Sequence, residues 1–413
     1  MWSLRLWGGP SRSPTPTDRE TCAMSSLLVR LACLTGLLAG SGALAATPPP
    51  QPKSGPGGAD YVAGEVTKRS VGRASAATFV FHAEGQPSAP RPVVVVLHAW
   101  GATNPQVYGG WIEHLARKGY LVLFPRFQET GRTRAVDATV NATTLLKEAF
   151  AELASDAEAR PDLSRVALIG HTAGSAVAIN LAALAKTEGL PTPKLVFLVM
   201  PGGIASDPKA RGVQLADLSQ VDAATMLITM IGDREFRAAD AAARRLLRET
   251  TEVPQNRKIF MRVLSDDHGF PTLSATLASP GSVKEAFDGA KIRVAPDPPV
   301  DPKAQRQAKP KWSPDMVLSG EQSVLVSQLA GNASDTLDHM GYWKTFDMAA
   351  AVAFAGRDAQ ALRNDPNLTD MGRWSDGWPV KRLGVADAPR AEAPAPAKAE
   401  PAPDKAPAPK KRP

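Results

Sequence analysis

Short apolar runs alternate along the middle of the chain with stretches whose apolar positions return at helical spacing. Val93 to Val96 is β-branched without interruption, the mark of a strand buried on both faces, so a strand is predicted over Pro92–Leu97. Trp111, Ile112 and Leu115 follow at helical spacing and stop at Gly119, a helix with a C-terminal glycine. The same reading gives strands at 120–124, 165–169, 194–200, 224–231 and 258–264. Helices fall between them at 142–157, 175–184 and 238–248. Thr78–His82 reads as an added antiparallel edge strand. Strands alternating with helices predict right-handed crossovers and a mostly parallel central sheet with helices on both faces, the α/β class. Trp343, Phe346 and Phe354 suit a C-terminal helix packed on the core.

The ends of the chain break this pattern. Met24 to Arg30 is a short basic stretch, Leu31 to Leu44 is apolar, and Ala43-Leu44-Ala45 has the small-x-small form of a signal-peptidase site. Residues 1–45 are therefore expected to be an upstream extension plus a secretory signal peptide, with Met24 the start and cleavage near Ala45. The protein is then exported, periplasmic or secreted, and the apolar stretch is too short to leave a membrane span in the mature form. Residues 46–60 are rich in Pro, Gly and Ser and read as a flexible linker, 61–385 as the folded domain, and 386–413 as a disordered Ala/Pro/Lys tail. The Pro/Lys-rich segment 297–313 reads as a surface excursion.

Composition narrows the chemistry. The 413 residues are 43% hydrophobic and 22% charged, enough for a large core without disulfides or metals. The net charge is +7, but 1–45 and 386–413 each carry +2, leaving +3 on the body with no basic run. That argues against nucleic acid as a partner. The basic tail leaves a weak contact with an anionic envelope surface as a possible partner interaction. Both cysteines, Cys22 and Cys33, lie in the leader. A mature protein without thiols has no disulfide, cysteine nucleophile or cysteine-ligated zinc, and no histidine pair has metal-ligand spacing. No cofactor and no metal are expected.

The chemically informative stretch is Gly170-His171-Thr172-Ala173-Gly174, where a predicted buried strand turns into an alanine-rich helix. So tight a turn leaves little room two residues before and after its centre, which Gly170 and Gly174 satisfy. It lifts the Thr172 hydroxyl to the strand's carboxyl end and sets the Ala173 N–H at a helix N-terminus, where a developing oxyanion is favoured. His98-Ala99-Trp100-Gly101, directly after the valine-rich strand, is placed to supply a second donor, the Trp100 N–H. Asp233 follows the strand 224–231 after Gly232, and His268 follows the strand 258–264. The order Thr172, Asp233, His268, with gaps of 61 and 35 residues, is nucleophile, acid, base. Asp266 or Asp267 is an alternative acid, and Ser175 an alternative nucleophile.

Taken together, these stretches resemble the α/β-hydrolase superfamily, in particular its exported dienelactone-hydrolase-like and cutinase-like members. Leu97–Ala102, Tyr108–Ile112, Phe124-Pro-Arg126, Ser265–Gly269, Tyr342-Trp-Lys and Met371–Gly377 carry the same likeness, which spans Ala76 to Leu383. The resemblance implies hydrolysis of a small-molecule or polymeric carboxylic ester by acyl transfer through Thr172, with His268 as base and Asp233 as its partner. Two departures stand out: Ala99 where relatives tend to have glycine, and Thr172 where they have serine. A threonine there is strained and crowded. This makes a catalytically weak or inactive fold member that binds a ligand or envelope partner the alternative.

Overall fold

The computed structural model describes residues 45–389 except 63, 75, 86–88, 235, 298–311 and 319–321. The leader with Met24, Cys22 and Cys33, most of the excursion at 297–313, and the tail from 390 lie outside the described residues. The chain divides into two compact units, Met1–Ala45 and Ala46–Pro413.

In the second unit, nine strands form one sheet: β1 (Val66–Arg73), β2 (Ala76–Ala83), β3 (Arg91–Leu97), β4 (Leu121–Pro125), β5 (Pro161–His171), β6 (Leu195–Val199), β7 (Met226–Gly232), β8 (Lys258–Val263) and β9 (Gly384–Ala386). Their order is β1-β2-β4-β3-β5-β6-β7-β8-β9. β3 to β8 are parallel to their neighbours among themselves, while β1 and β2 at one edge and β9 at the other run antiparallel. Every residue from Val93 to Leu97 is buried, as a strand covered on both faces requires.

Helices α1 (Gly109–Arg117), α2 (Ala138–Leu153), α3 (Ala173–Glu188) and α4 (Phe236–Glu249) are the crossovers the periodicity predicts. α5 (Gln322–Gly331), a π-helical turn at Leu337–Trp343, α6 (Lys344–Phe354) and α7 (Ala359–Arg363) follow. Phe346 of α6 packs against Trp111 of α1, Tyr120 and Phe197.

Three expectations are corrected. Thr78–His82 lies in a strand antiparallel to β4, but β1 covers it, so it is not the edge. β1 escaped notice because Thr67 to Ser70 are polar and only partly buried, as befits an edge strand. Residues 46–60 do not behave as a free linker. The Phe270 N–H donates to Ala46 O (2.8 Å), the Ser375 N–H to Thr47 O (2.9 Å), Thr336 Oγ1 to Pro49 O (2.7 Å), and the Gly57 N–H to Asp347 Oδ2 (2.8 Å). The folded body also runs past 385, because β9 pairs with β8 and Ala388 is buried.

Candidate active site

β5 ends at His171 and α3 starts at Ala173; Thr172 between them holds φ 47° and ψ −114°. Among the described non-glycine residues only Met200 shares a positive φ. Strain of this kind costs about 1–3 kcal/mol and persists only where the surroundings over-determine it. Here the Thr172 N–H donates to Val199 O (3.1 Å), and its carbonyl accepts from the Ser175 and Gly202 amides (2.9 and 3.3 Å). A Cβ on Gly170 would lie 2.6 Å from Gly174 O, and one on Gly174 would lie 2.1 Å from Leu97 O, so both positions demand glycine. Ser175 is fully buried and donates to Gly170 O (2.8 Å), which ties up the alternative nucleophile inside the turn.

The loop after β3 folds over the start of α3. The Ala99 N–H donates to Tyr108 Oη (3.0 Å) and the Gly101 N–H to Gln128 Oε1 (2.6 Å). The Trp100 N–H is left without a hydrogen-bond partner among the described residues, and so is the Ala173 N–H in the first turn of α3. His98 is sealed beneath, stacked on Phe127 at 4.1 Å, with its Nδ1 on Ala99 O (2.9 Å). Burial holds its imidazole down to about 4, so it is neutral. Trp100 Nε1 donates to Met316 O (3.1 Å), tying the segment 312–318 to this loop. Leu318 reaches the same corner, since a Cβ on Gly203 would meet Leu318 Cδ1 at 2.8 Å and Ala173 Cβ at 3.0 Å.

The acid and base are placed differently from the expected triad. Asp233 follows β7, but its Oδ1 accepts from Ser265 Oγ (2.5 Å), which in turn accepts from the Ala275 N–H (3.0 Å). Asp233, Arg234, Ser265, Thr272, Ser274 and Lys381 line a polar cavity of about 370 Å³. His268 lies on a hairpin closed by the Asp266–Leu273 bridge. Its Nε2 pairs with Asp376 Oδ2 (2.7 Å), and its ring stacks on Trp378 at 5.5 Å. Bonds from the Trp378 amide and His268 hold the Asp376 carboxyl below its usual range. Among the described residues no hydrogen bond joins His268 to Asp233 or either one to Thr172. Neither alternative acid is positioned to replace Asp233 at His268. Asp266 accepts from Trp374 Nε1, the Lys381 N–H and the His268 backbone N–H, and Asp267 is exposed beside Lys381.

The Chlorophyllase family model matches residues 67–213, from β1 through the elbow and α3 to the loop after β6. Similar solved structures include an alpha/beta hydrolase enzyme from a Medee basin deep-sea metagenome library, 18% identical over 50% of this chain and 83% of its own (TM-score 0.38). A fungal esterase from Rhizomucor miehei is 15% identical over 64% and 87% (TM-score 0.39). A thermostable esterase from Pseudomonas putida is 14% identical over 50% and 74% (TM-score 0.38). No curated protein matches the sequence. Sheet order, the strained elbow and the family match agree. The chain has the α/β-hydrolase fold.

Within that fold, sequence reasoning missed Tyr108, Ser265 and Asp376. All three lie inside stretches that carry the family likeness, without any pattern of their own to assign them a role. Asp376 lies 108 residues beyond His268, and no spacing rule links them. No group of three or more His, Cys, Asp or Glu among the described residues could hold a metal ion. No helix among them is long and apolar enough to cross a membrane.

Proposed function

We propose that this α/β-hydrolase-fold protein cleaves carboxylic esters slowly, with Thr172 as nucleophile. The carrying observation is Thr172 itself. A β-branched residue held at φ 47° is costly, and three hydrogen bonds hold it there, beside two amides without a partner among the described residues. The Thr172 hydroxyl attacks the ester carbonyl as its proton passes to His268. The Trp100 and Ala173 amides hold the oxyanion, and the alcohol leaves with that proton. Water then releases the acid from the acyl-threonine. This reading requires the 266–273 hairpin to release His268 from Asp376, which is one source of the low rate.

Purified 46–413 should turn over p-nitrophenyl acetate, and Thr172→Ala and His268→Ala should each abolish it. Unchanged turnover in both variants sinks the assignment. A second reading, a fold member that binds a ligand or envelope partner without cleaving it, draws on the Asp233–Ser265 and His268–Asp376 pairings. Labelling by a fluorophosphonate separates the two: an adduct on Thr172 rules out an inert elbow. We propose further that the chain is exported by residues 24–45. The apolar run Leu31 to Leu44 ending in the small-x-small Ala43-Leu44-Ala45 supports that cleavage point. The basic tail is proposed to touch an anionic surface, and loss of vesicle binding on its removal tests this.

A further inference from the structure

Three loops at the carboxyl edge of the sheet are joined by a single file of hydrogen bonds, buried except for the partly buried last one. The Ala99 N–H of the loop after β3 meets Tyr108 Oη at 3.0 Å. Tyr108 Oη meets His171 Nδ1, where β5 ends in the elbow, at 2.8 Å. His171 Nε2 meets Leu277 O, in the loop after β8, at 2.8 Å. Ala99, Tyr108 and His171 are each at most 3% exposed, so water offers no substitute partner.

The direction of every bond is fixed by its ends. Leu277 O only accepts, so His171 Nε2 carries the proton. Burial keeps the ring neutral, its pKa held down to about 4, so Nδ1 is bare and accepts. Burial also raises the Tyr108 phenol above its ordinary value, so it keeps its proton and gives it to Nδ1. The phenol's lone pair is then left for the Ala99 N–H. Tyr108 itself is rigidly placed, closing the 3-10 turn Pro105–Tyr108 that Asn104 caps through Gln106 N (3.1 Å).

We propose that Tyr108 is a positioning residue of the oxyanion hole. Its hydroxyl couples the Ala99-Trp100 loop to the imidazole that precedes the nucleophile, and so fixes the aim of the Trp100 amide. Ala99 and Gly101 both spend their amides on neighbours, which leaves Trp100 as the one donor of the three without a partner among the described residues. The proposal rests on the ester-hydrolase reading, in which that donor meets the oxyanion.

The test is Tyr108→Phe, with Thr172 untouched. Turnover of p-nitrophenyl acetate should fall about 10-fold or more in kcat with KM within about two-fold, because the misaimed donor acts only on the transition state. Amide hydrogen exchange at Ala99 and Trp100 should quicken by about 10-fold or more, while the amides of α4 keep wild-type rates. In wild-type protein, 15N spectra should show His171 protonated at Nε2 alone from pH 6 to 8. Protonation at Nδ1, or an unchanged kcat in Tyr108→Phe, overturns the proposal. If wild-type protein cleaves no ester, the hydrolase reading fails by itself and the exchange data decide the coupling: unaltered exchange at Ala99 and Trp100 overturns it. Should Tyr108→Phe not fold, His171→Phe removes the acceptor from the other side and carries the same kinetic and exchange readouts.

Discussion

At the residue scale, Thr172 sets two opposing expectations. Its methyl group crowds the hydroxyl oxygen and fixes χ1, whereas serine leaves the oxygen free to align. Thr172→Ser should therefore raise kcat for p-nitrophenyl acetate, by about 10-fold or more for a misalignment of the usual size; an equal or lower rate would show that the methyl group is not the handicap. Thr172→Gly should abolish turnover yet stabilise the fold by about 1 kcal/mol in urea unfolding, since glycine holds φ 47° without strain. A loss of stability would mean that the side chain's packing outweighs the strain. His98 makes a separate expectation. Its folded pKa near 4 lies below the free value near 6.5, so between those values the unfolded chain binds more protons. Stability therefore falls as pH drops through that window, by about 1.4 kcal/mol per unit for this one ring. His98→Phe keeps the stack on Phe127 and removes the titration. Its stability relative to wild type should rise steadily from pH 7 to pH 4.5, and a constant difference would contradict the assignment.

At the element scale, the strands and crossover helices were legible because their periods are local. Val93–Val96 is β-branched without interruption, as a strand buried on both faces requires, and Trp111, Ile112 and Leu115 return at helical spacing in α1. The elbow was legible for the same reason, since its glycines answer a clash within the turn itself. What stayed hidden depends on partners distant in sequence. β1 is polar and recognisable only through its register with β2. The order Thr172, Asp233, His268 describes the chain, not the space around it. Ser265 sits three residues before His268 and takes the Asp233 carboxylate first. Asp376 and Trp378 arrive from the C-terminal segment and hold the imidazole there. If that clasp limits catalysis, Asp376→Ala should raise the rate of ester cleavage several-fold and leave the melting temperature within a few degrees, the pair being largely exposed. A fall to the level of His268→Ala would instead make Asp376 the working partner of the base.

At the scale of the whole molecule, the segment after Ala45 changes what counts as the folded body. Its composition reads as a linker, because proline and glycine deplete local structure, yet that same composition suits an extended strap that offers its backbone to others. Ala46, Thr47, Pro49 and Gly57 each give or take a hydrogen bond with the C-terminal half. Gly57 holds φ 73° with His339 O only 2.1 Å from where a Cβ would stand, so no other residue fits. Beneath it lies a partly buried chain of side chains. Gln51 Nε2 donates to Tyr61 Oη (2.9 Å), Tyr61 Oη meets His114 Nδ1 (3.3 Å), and His114 Nε2 meets Asp347 Oδ2 (3.0 Å), the same oxygen that takes the Gly57 N–H. Removing 46–58 would expose this chain and strip Asp347 of one donor, and a buried polar group left unpaired costs about 1–3 kcal/mol. A protein beginning at Ala59 should thus melt several degrees below one beginning at Ala46, and Gly57→Ala alone should reproduce part of that loss. The strap also reaches the hairpin that carries His268, through Ala46 O and the Phe270 N–H. Shortening it should therefore alter ester turnover as well as stability, and equal melting temperatures with equal turnover would return residues 46–58 to the status of a passive linker.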